Sequence, residues 1–274
     1  MSLFIASLNS GSNGNCYYVG NETEAVLIDA GISCRETEKR MQKLHLSMQK
    51  VKAIFVSHEH SDHISGVPGL SKKYKLPVYI TDSTLTASGL PIEKNLVQSF
   101  SAHQPVTIGN LSILGFPKFH DATDPHSFMI YSNNINVGIF TDIGSLCKNV
   151  IRHFKNCHAV FLESNYCEEM LAIGKYPEFL KKRISGDHGH LSNKQALELF
   201  LKHRGKKLTH LILSHLSKNN NRVSLVKEIF ETHAGSTKIV IAGRYKETEV
   251  FCIDSNRQSK KINKKPSELQ LSLF

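Results

Sequence analysis

The run His58-Glu59-His60-Ser61-Asp62-His63 follows directly on Ser57 and the apolar segment Ala53–Val56. Three imidazoles and the Asp62 carboxylate fall within six consecutive positions. A strand that ends there must release several lone pairs into one small volume. Neutral imidazole and carboxylate together suit zinc, manganese or iron. A His-x-His-x-Asp-His loop can supply two metal ions at once and still leave positions open for water. A polar loop rich in histidine by chance is a poor account of this spacing.

The rest of the chain reads as alternating short strands and helices. β-rich runs come first, at 3–8, 16–19 and 24–29, with Gly11-Ser12-Asn13-Gly14-Asn15 as a turn between the first two. That turn is either a plain hairpin connection or a backbone cradle for an anion, with Ser12 and Asn13 as the contacts. A helix over 33–46 precedes a strand at 53–57; a helix over 67–74 precedes a strand at 78–80. A meander is expected through 97–100, 106–114, 127–131 and 136–140, with Asn133-Asn134 as turn chemistry. Helices at 145–155, 177–183, 192–203 and 223–232 then alternate with strands at 159–162, 208–213 and 238–241. Periodicity alone predicts an α/β protein.

The 274 residues suffice for one large α/β domain with a substantial core. A net charge of +10 favours a polyanionic partner such as nucleic acid. The six cysteines form no Cys-x-x-Cys pair, which argues against a zinc ribbon or a disulfide framework. Met1–Ala6 lacks the basic and apolar regions of a signal peptide, and no apolar run is long enough to span a bilayer. A cytoplasmic protein with no membrane partner is expected.

Five motifs appear in an order that resembles the metallo-β-lactamase fold superfamily. They are Ala25-Val26-Leu27-Ile28-Asp29, the histidine run, Phe119-His120-Asp121, Ile139-Phe140-Thr141-Asp142 and Leu211-Ile212-Leu213-Ser214-His215. The resemblance implies a four-layer αββα sandwich. It also implies that His58, His60 and His120 hold one divalent ion, while Asp62, His63 and His215 hold a second and Asp142 bridges. Asp29 would brace the ligand loop, and His120 rather than the nearby His126 would be the ligand. Further motifs narrow the family: Ser10–Asn15, Glu163-Ser164-Asn165, Tyr176-Pro177 with Leu180-Lys181, and Gly189-His190-Leu191-Ser192-Asn193. Together they resemble the YycJ/WalJ family of bacterial exonucleases, which implies 5′-to-3′ hydrolysis of DNA at a dinuclear manganese or zinc site, iron being possible. Relatives would carry a His-Asp-like pair where this chain has Tyr166-Cys167.

Two ions at such a site activate a water for in-line attack on phosphorus. Asp62 would orient that nucleophile as well as ligate. His190 would stabilise the scissile phosphate or protonate the leaving group, with His188 as the second candidate. Basic residues cluster around the Gly-His-Leu-Ser-Asn element and His215, and Lys194, Lys218 and Arg222 are expected to contact the phosphate backbone. Residues 1–254 form the expected catalytic domain, and 255–274 a flexible basic tail. The tail ends Gln270-Leu271-Ser272-Leu273-Phe274, which resembles the peptide by which bacterial DNA enzymes dock on the β sliding clamp. Gln270, Leu271, Leu273 and Phe274 would then be the clamp contacts. An RNA-processing nuclease, a small-molecule phosphodiesterase and a non-catalytic clamp-binding adaptor are the competing functions.

Overall fold

A computed structural model describes residues 2–254. The first half carries β1 (Leu3–Asn9), β2 (Cys16–Gly20), β3 (Ala25–Ile28), α1 (Cys34–Lys43), β4 (Val51–Phe55), α2 (Ser61–Ile64), α3 (Val67–Tyr74), β5 (Val78–Tyr79), α4 (Asp82–Ser88) and β6 (Val97–Gln98). A meander follows of β7 (Pro105–Ile108), β8 (Leu111–Pro117), β9 (His126–Ser132) and β10 (Ile135–Phe140). The chain continues through α5 (Lys148–Phe154), β11 (Ala159–Glu163), α6 (Glu168–Ile173), α7 (Glu178–Ser185) and α8 (Asn193–His203). It then forms β12 (His210–Ser214), α9 (Val223–Glu231), β13 (Lys238–Ile241) and β14 (Phe251–Ile253). No helix among the described residues is long and apolar enough to cross a membrane.

The strands form two mixed sheets, ordered β14-β1-β2-β3-β4-β5-β6 and β13-β12-β11-β10-β9-β8-β7. Successive side chains in a strand point to opposite faces, and here both faces are apolar. Leu3, Ile5, Tyr17, Val19, Val26 and Ile28 meet Ile113, Phe128, Ile130, Val137, Phe161 and Ile212 in a core between the sheets. The alternate residues Cys16, Tyr18, Ala25 and Leu27 pack outward with Met41 and Leu70 of the helices. On the other outer face Met129, Phe140, Val160, Leu211 and Leu213 meet Val150, Leu199, Phe200, Val226 and Phe230. Three cores separate four layers, the αββα sandwich that the resemblance implied.

Helix ends follow local chemistry. Ser33 caps α1 by accepting from the Glu36 N–H, and Arg40 and Lys43 occupy its last turn. Ser192 and Gln195 form a capping box that starts α8 directly after His190-Leu191. Asn133 and Asn134 both take positive φ, as a tight hairpin turn requires.

Some elements depart from the expected pattern. The single strand expected over 106–114 is a hairpin, turned at Gly109-Asn110, with Gly109 at φ +56° and the Glu24 carboxylate accepting from the Asn110 N–H at 2.7 Å. Gly109-Asn110 is itself a two-residue turn signal that the single-strand expectation passes over; the remote Glu24 carboxylate secures the turn. The one-turn α2 begins inside the histidine run and ends one residue past it. The three residues of β14, which close the first sheet against β1, are too few to show a period.

Candidate metal centre

The parallel order β3-β4-β5-β6 and β10-β11-β12-β13 sends the C-terminal ends of these strands to one edge. Polar residues collect there. Asp29 follows β3, the histidine run follows β4, Asp142 follows β10, Glu163 ends β11 and His215 follows β12. Asp29, Asp142 and His215 all adopt left-handed backbone, with φ of +58°, +55° and +56°. Each such turn costs a non-glycine residue about 1–3 kcal/mol, and residues held this way concentrate where a side chain must be aimed.

Side chains converge in overlapping sets whose donor atoms lie within 4.8 Å of one another: His58, His60 and His120; Asp62, His63 and His215; His58, His63 and Asp142; and Asp142, Glu163, His190 and His215. Asp142 therefore lies between the first two triads, beside His58 of one and His63 and His215 of the other. Nε2 of His120, Nε2 of His215 and Oδ2 of Asp142 are buried without a hydrogen-bond partner. Orphaned buried donors and acceptors of this kind are rare in folded proteins. Three aimed at one cleft fit a cation, and the His/Asp cluster is compatible with a dinuclear divalent site. His126 belongs to none of the sets. It packs edge-on against Phe100 and donates from Nδ1 to the Asp124 carbonyl at 2.9 Å, as a core histidine does.

The cluster is braced from outside. The Asp29 carboxylate accepts from the Ser57 N–H and Oγ–H at 2.8 Å each and from His63 Nδ1 at 2.7 Å. His120 donates from Nδ1 to the Gly189 carbonyl at 2.9 Å. Glu163 accepts from His190 Nδ1 at 2.8 Å, from His215 Nδ1 at 2.9 Å, and from the N–H of Ile143 and Leu191. Each brace uses one ring nitrogen and leaves the other for the cleft. Ala30-Gly31 laces the loop down: the Ala30 N–H donates to the His63 carbonyl, and a Cβ on Gly31 would stand 1.7 Å from the Asp62 carbonyl oxygen. Only glycine allows that approach.

The electrostatics divide the site. Burial pushes His58 well below its ordinary pKa and His120 down to about 4, so both are neutral donors. Burial also opposes the charge on His63 and His215. The carboxylates of Asp142, Asp29 and Asp62 outweigh it at His63; those of Asp142, Asp62 and Glu163 do so at His215. His63 is raised well above its ordinary value and His215 to about 10. In the metal-free protein these protons compensate the buried acids. A dication would take over that task, so metal binding is expected to release protons and to tighten as pH rises toward about 10. Calorimetry in buffers of different ionisation enthalpy measures the release directly. By the same linkage, the stability that His215 lends the metal-free fold is complete below about 6.5 and is lost as pH rises through about 10.

Other residues singled out in the sequence lie around this centre. His190 sits between the rings of His120 and His215, with centroids 5.1 and 5.2 Å away, whereas His188 is exposed against Phe119. Ser12 and Asn13 are engaged with Arg244, through Arg244 Nη2 to Ser12 Oγ and Asn13 Nδ2 to the Arg244 carbonyl. Lys194, Lys218 and Arg222 are exposed. Arg204, another basic residue after α8, donates to the carbonyls of His233 and Ala234, beyond the end of α9. Gln270, Leu271, Leu273 and Phe274 lie outside the described residues.

Four positions gained a role only in three dimensions. Glu163 is one. Asn15 directs its amide to His63 Nε2 at 3.0 Å and Asp62 Oδ2 at 3.2 Å. Asn221 donates to the carbonyls of Ser164 and Asn165 and to Asn193 Oδ1, knotting the Glu-Ser-Asn and Gly-His-Leu-Ser-Asn motifs together. Lys118 is buried, with Nζ on the Thr141 carbonyl at 2.7 Å. Burial lowers its pKa, against the pull of Asp142, Asp29, Glu163 and Asp62. At position 166, Tyr166 is buried and bridges its backbone to Ser192.

A two-sheet sandwich with this His/Asp cluster at its edge defines a metal-dependent hydrolase of the metallo-β-lactamase fold. Residues 24–215 match the family model for the β-lactamase superfamily domain. The chain is 35% identical over 232 residues to exodeoxyribonuclease YycJ of Bacillus anthracis, covering 83% of this chain and 87% of that protein. It is 32% identical over 219 residues to exodeoxyribonuclease WalJ of Streptococcus pneumoniae, covering 78% and 81%. The metallo-β-lactamase fold protein YhfI from Bacillus subtilis superposes with a TM-score of 0.70 at 17% identity, over 92% of this chain and all of that one. The chain belongs to the β-lactamase superfamily, and within it to the family of YycJ and WalJ.

Proposed function

We propose that the protein is a dinuclear-metal-dependent phosphodiesterase acting on DNA, a 5′-to-3′ exonuclease of DNA repair or replication in the cytoplasm. The observation that carries this reading is its 35% identity, along 83% of the chain, to a protein named exodeoxyribonuclease. The seven ligand residues of the superfamily pattern, gathered at one edge, support it. His58, His60 and His120 would hold one ion, Asp62, His63 and His215 the other, with Asp142 facing both. Bound divalent ions, manganese or zinc, would supply an acidified water and neutralise charge on the phosphate.

The chain's own residues do the rest. Asp62 is partly open to solvent where His63 and Asp142 are closed, and it orients the attacking water and receives its proton. His190, its Nδ1–H held by Glu163, protonates the leaving oxygen through Nε2. Lys194, Lys218 and Arg222 contact the phosphate backbone.

The test uses the full chain with manganese, and duplex DNA and matched RNA labelled separately at each end. Stepwise loss of nucleotides from the DNA 5′ end is the expected result. Cleavage of the RNA alone would make the protein an RNA-processing nuclease; cleavage of neither would leave a small phosphodiester as substrate. The tail residues Gln270, Leu271, Leu273 and Phe274 are proposed to dock on the bacterial sliding clamp. Deleting 270–274 should leave hydrolysis of short DNA unchanged and abolish co-elution with the clamp; persistent co-elution overturns the docking.

A further inference from the structure

β13 lies parallel to β12 and therefore delivers the residues after it to the same edge that receives His215. Those residues are Ala242-Gly243-Arg244-Tyr245, and they are tied into the centre. The Ser10 N–H donates to the Gly243 carbonyl, and Ser10 Oγ accepts from the His215 N–H at 2.7 Å. Arg244 reaches across with Nη1 on the Leu216 carbonyl at 3.0 Å and Nη2 on Ser12 Oγ at 3.1 Å. The Ser10–Asn15 motif gives it room. Gly11 sits at φ +141°, and a Cβ there would stand 2.7 Å from Arg244 Nη1.

This guanidinium is under-used. Among the described residues no carboxylate pairs with Arg244 or with Lys218, and Arg244 Nε is buried without a partner. A half-buried cation with donors to spare is placed for an anion. Beside it opens a cavity of about 270 Å³ lined by Leu216, Lys218, Asn221, Val223, Arg244 and Tyr245. Its rim carries Tyr245, 67% exposed, an aromatic face that no packing requirement explains. Its floor is rigid, because Asn221 holds the carbonyls of Ser164 and Asn165, and Asn165 holds the carbonyl of His215. Leu216 of the cavity wall directly follows His215 in the chain, so the cavity and His215 share one hydrogen-bonded framework.

Cationic donors beside an exposed aromatic face match a nucleotide in a single strand, with the phosphate on the cations and the base on the ring. We propose that this cavity is the subsite for the nucleotide flanking the scissile phosphate. Arg244 and Lys218 take its non-scissile phosphate, and Tyr245 stacks on its base, so that the enzyme grips a single-stranded DNA end. The inference rests on the nuclease reading above.

The test compares two short single-stranded oligothymidylates with the full chain and manganese. In one, the linkage next to the cleaved bond is an ordinary phosphodiester; in the other it is a neutral methylphosphonate. The wild type should lose about tenfold or more in kcat/KM on the neutral linkage, chiefly through KM. Lys218→Ala should shrink that penalty to within about threefold, and Arg244→Gln should do the same if its loop holds. Tyr245→Ala should raise KM by about tenfold, and Tyr245→Phe should restore it, since stacking needs the ring and not the hydroxyl. Lys218 and Tyr245 are exposed, so these two variants remain informative even where Arg244→Gln fails to fold. Equal wild-type rates on both oligomers, or a full penalty in Lys218→Ala with an unchanged KM in Tyr245→Ala, overturn the subsite and leave the nuclease reading intact. Hydrolysis of bis(p-nitrophenyl) phosphate without cleavage of either oligomer overturns both.

Discussion

Asp62→Asn is expected to reduce DNA hydrolysis by about a thousandfold or more, while the protein folds as before. The side chain is at the crowded point of the site, with Oδ2 3.5 Å from His215 Nε2, 3.6 Å from His63 Nε2 and 3.2 Å from the Asn15 amide. Asparagine keeps the shape and removes the charge. Turned either way, it leaves one fewer anionic donor for an ion and can set an N–H₂ against the Asn15 N–H₂. It also removes the group best placed to hold the attacking water. The loop itself depends on the Asp62 backbone, whose carbonyl accepts from the Asn15 N–H at 2.7 Å, and that bond survives the change. The metal-free variant should therefore melt within a few degrees of the wild type, and the rise in Tm on adding manganese should shrink. Single-turnover cleavage of end-labelled DNA measures the loss. Wild-type rates in a fully metal-loaded variant would remove Asp62 from the mechanism.

The contrast between Asp62 and its braces explains what a sequence discloses about such a site. The histidine run is conspicuous because its donors are consecutive, and Asp142 and His215 because each follows an apolar strand. Glu163 also ends a strand, in a motif that marks the family, yet its role is invisible in one dimension. What makes it a brace is the return of His190 and His215 from 27 and 52 residues further along. Asn15 and Asn221 are hidden for the same reason, since asparagine in a turn is ordinary turn chemistry until the fold supplies its partners. The Ser10–Asn15 turn was legible as a turn, but its use was not. Ser12 and Asn13 fasten Arg244, a residue 231 positions away from Asn13, and Asn15 faces the ligands. The α/β class follows from the alternation of short strands and helices, whereas the four-layer sandwich is implied only by the resemblance. The break at Gly109 is marked by the Gly109-Asn110 pair, and only its fastening by Glu24, in another hairpin, is hidden.

His190→Ala separates proton donation from everything else the centre does. The ring lies between His120 and His215 and is partly exposed, with Nδ1 given to a fully buried Glu163. Burial would favour a protonated Glu163, but the facing His190 charge and the hydrogen bonds from His190 and His215 hold its pKa down to about 2, so it remains an acceptor throughout the working range. A histidine fixed through Nδ1 by a carboxylate presents Nε2 in one direction, as a general acid requires. On DNA the leaving group is an alkoxide that must be protonated, so the variant should lose about 10²–10⁴-fold in kcat. Thymidine 5′-(p-nitrophenyl phosphate) leaves as a phenolate that needs no proton, and on it the same variant should fall by less than about tenfold. A purely structural role predicts equal losses on both substrates, because a displaced His215 or Glu163 would damage metal binding whatever the leaving group. The ratio of the two losses thus decides the role of His190, and it does so without assuming which ion fills the site.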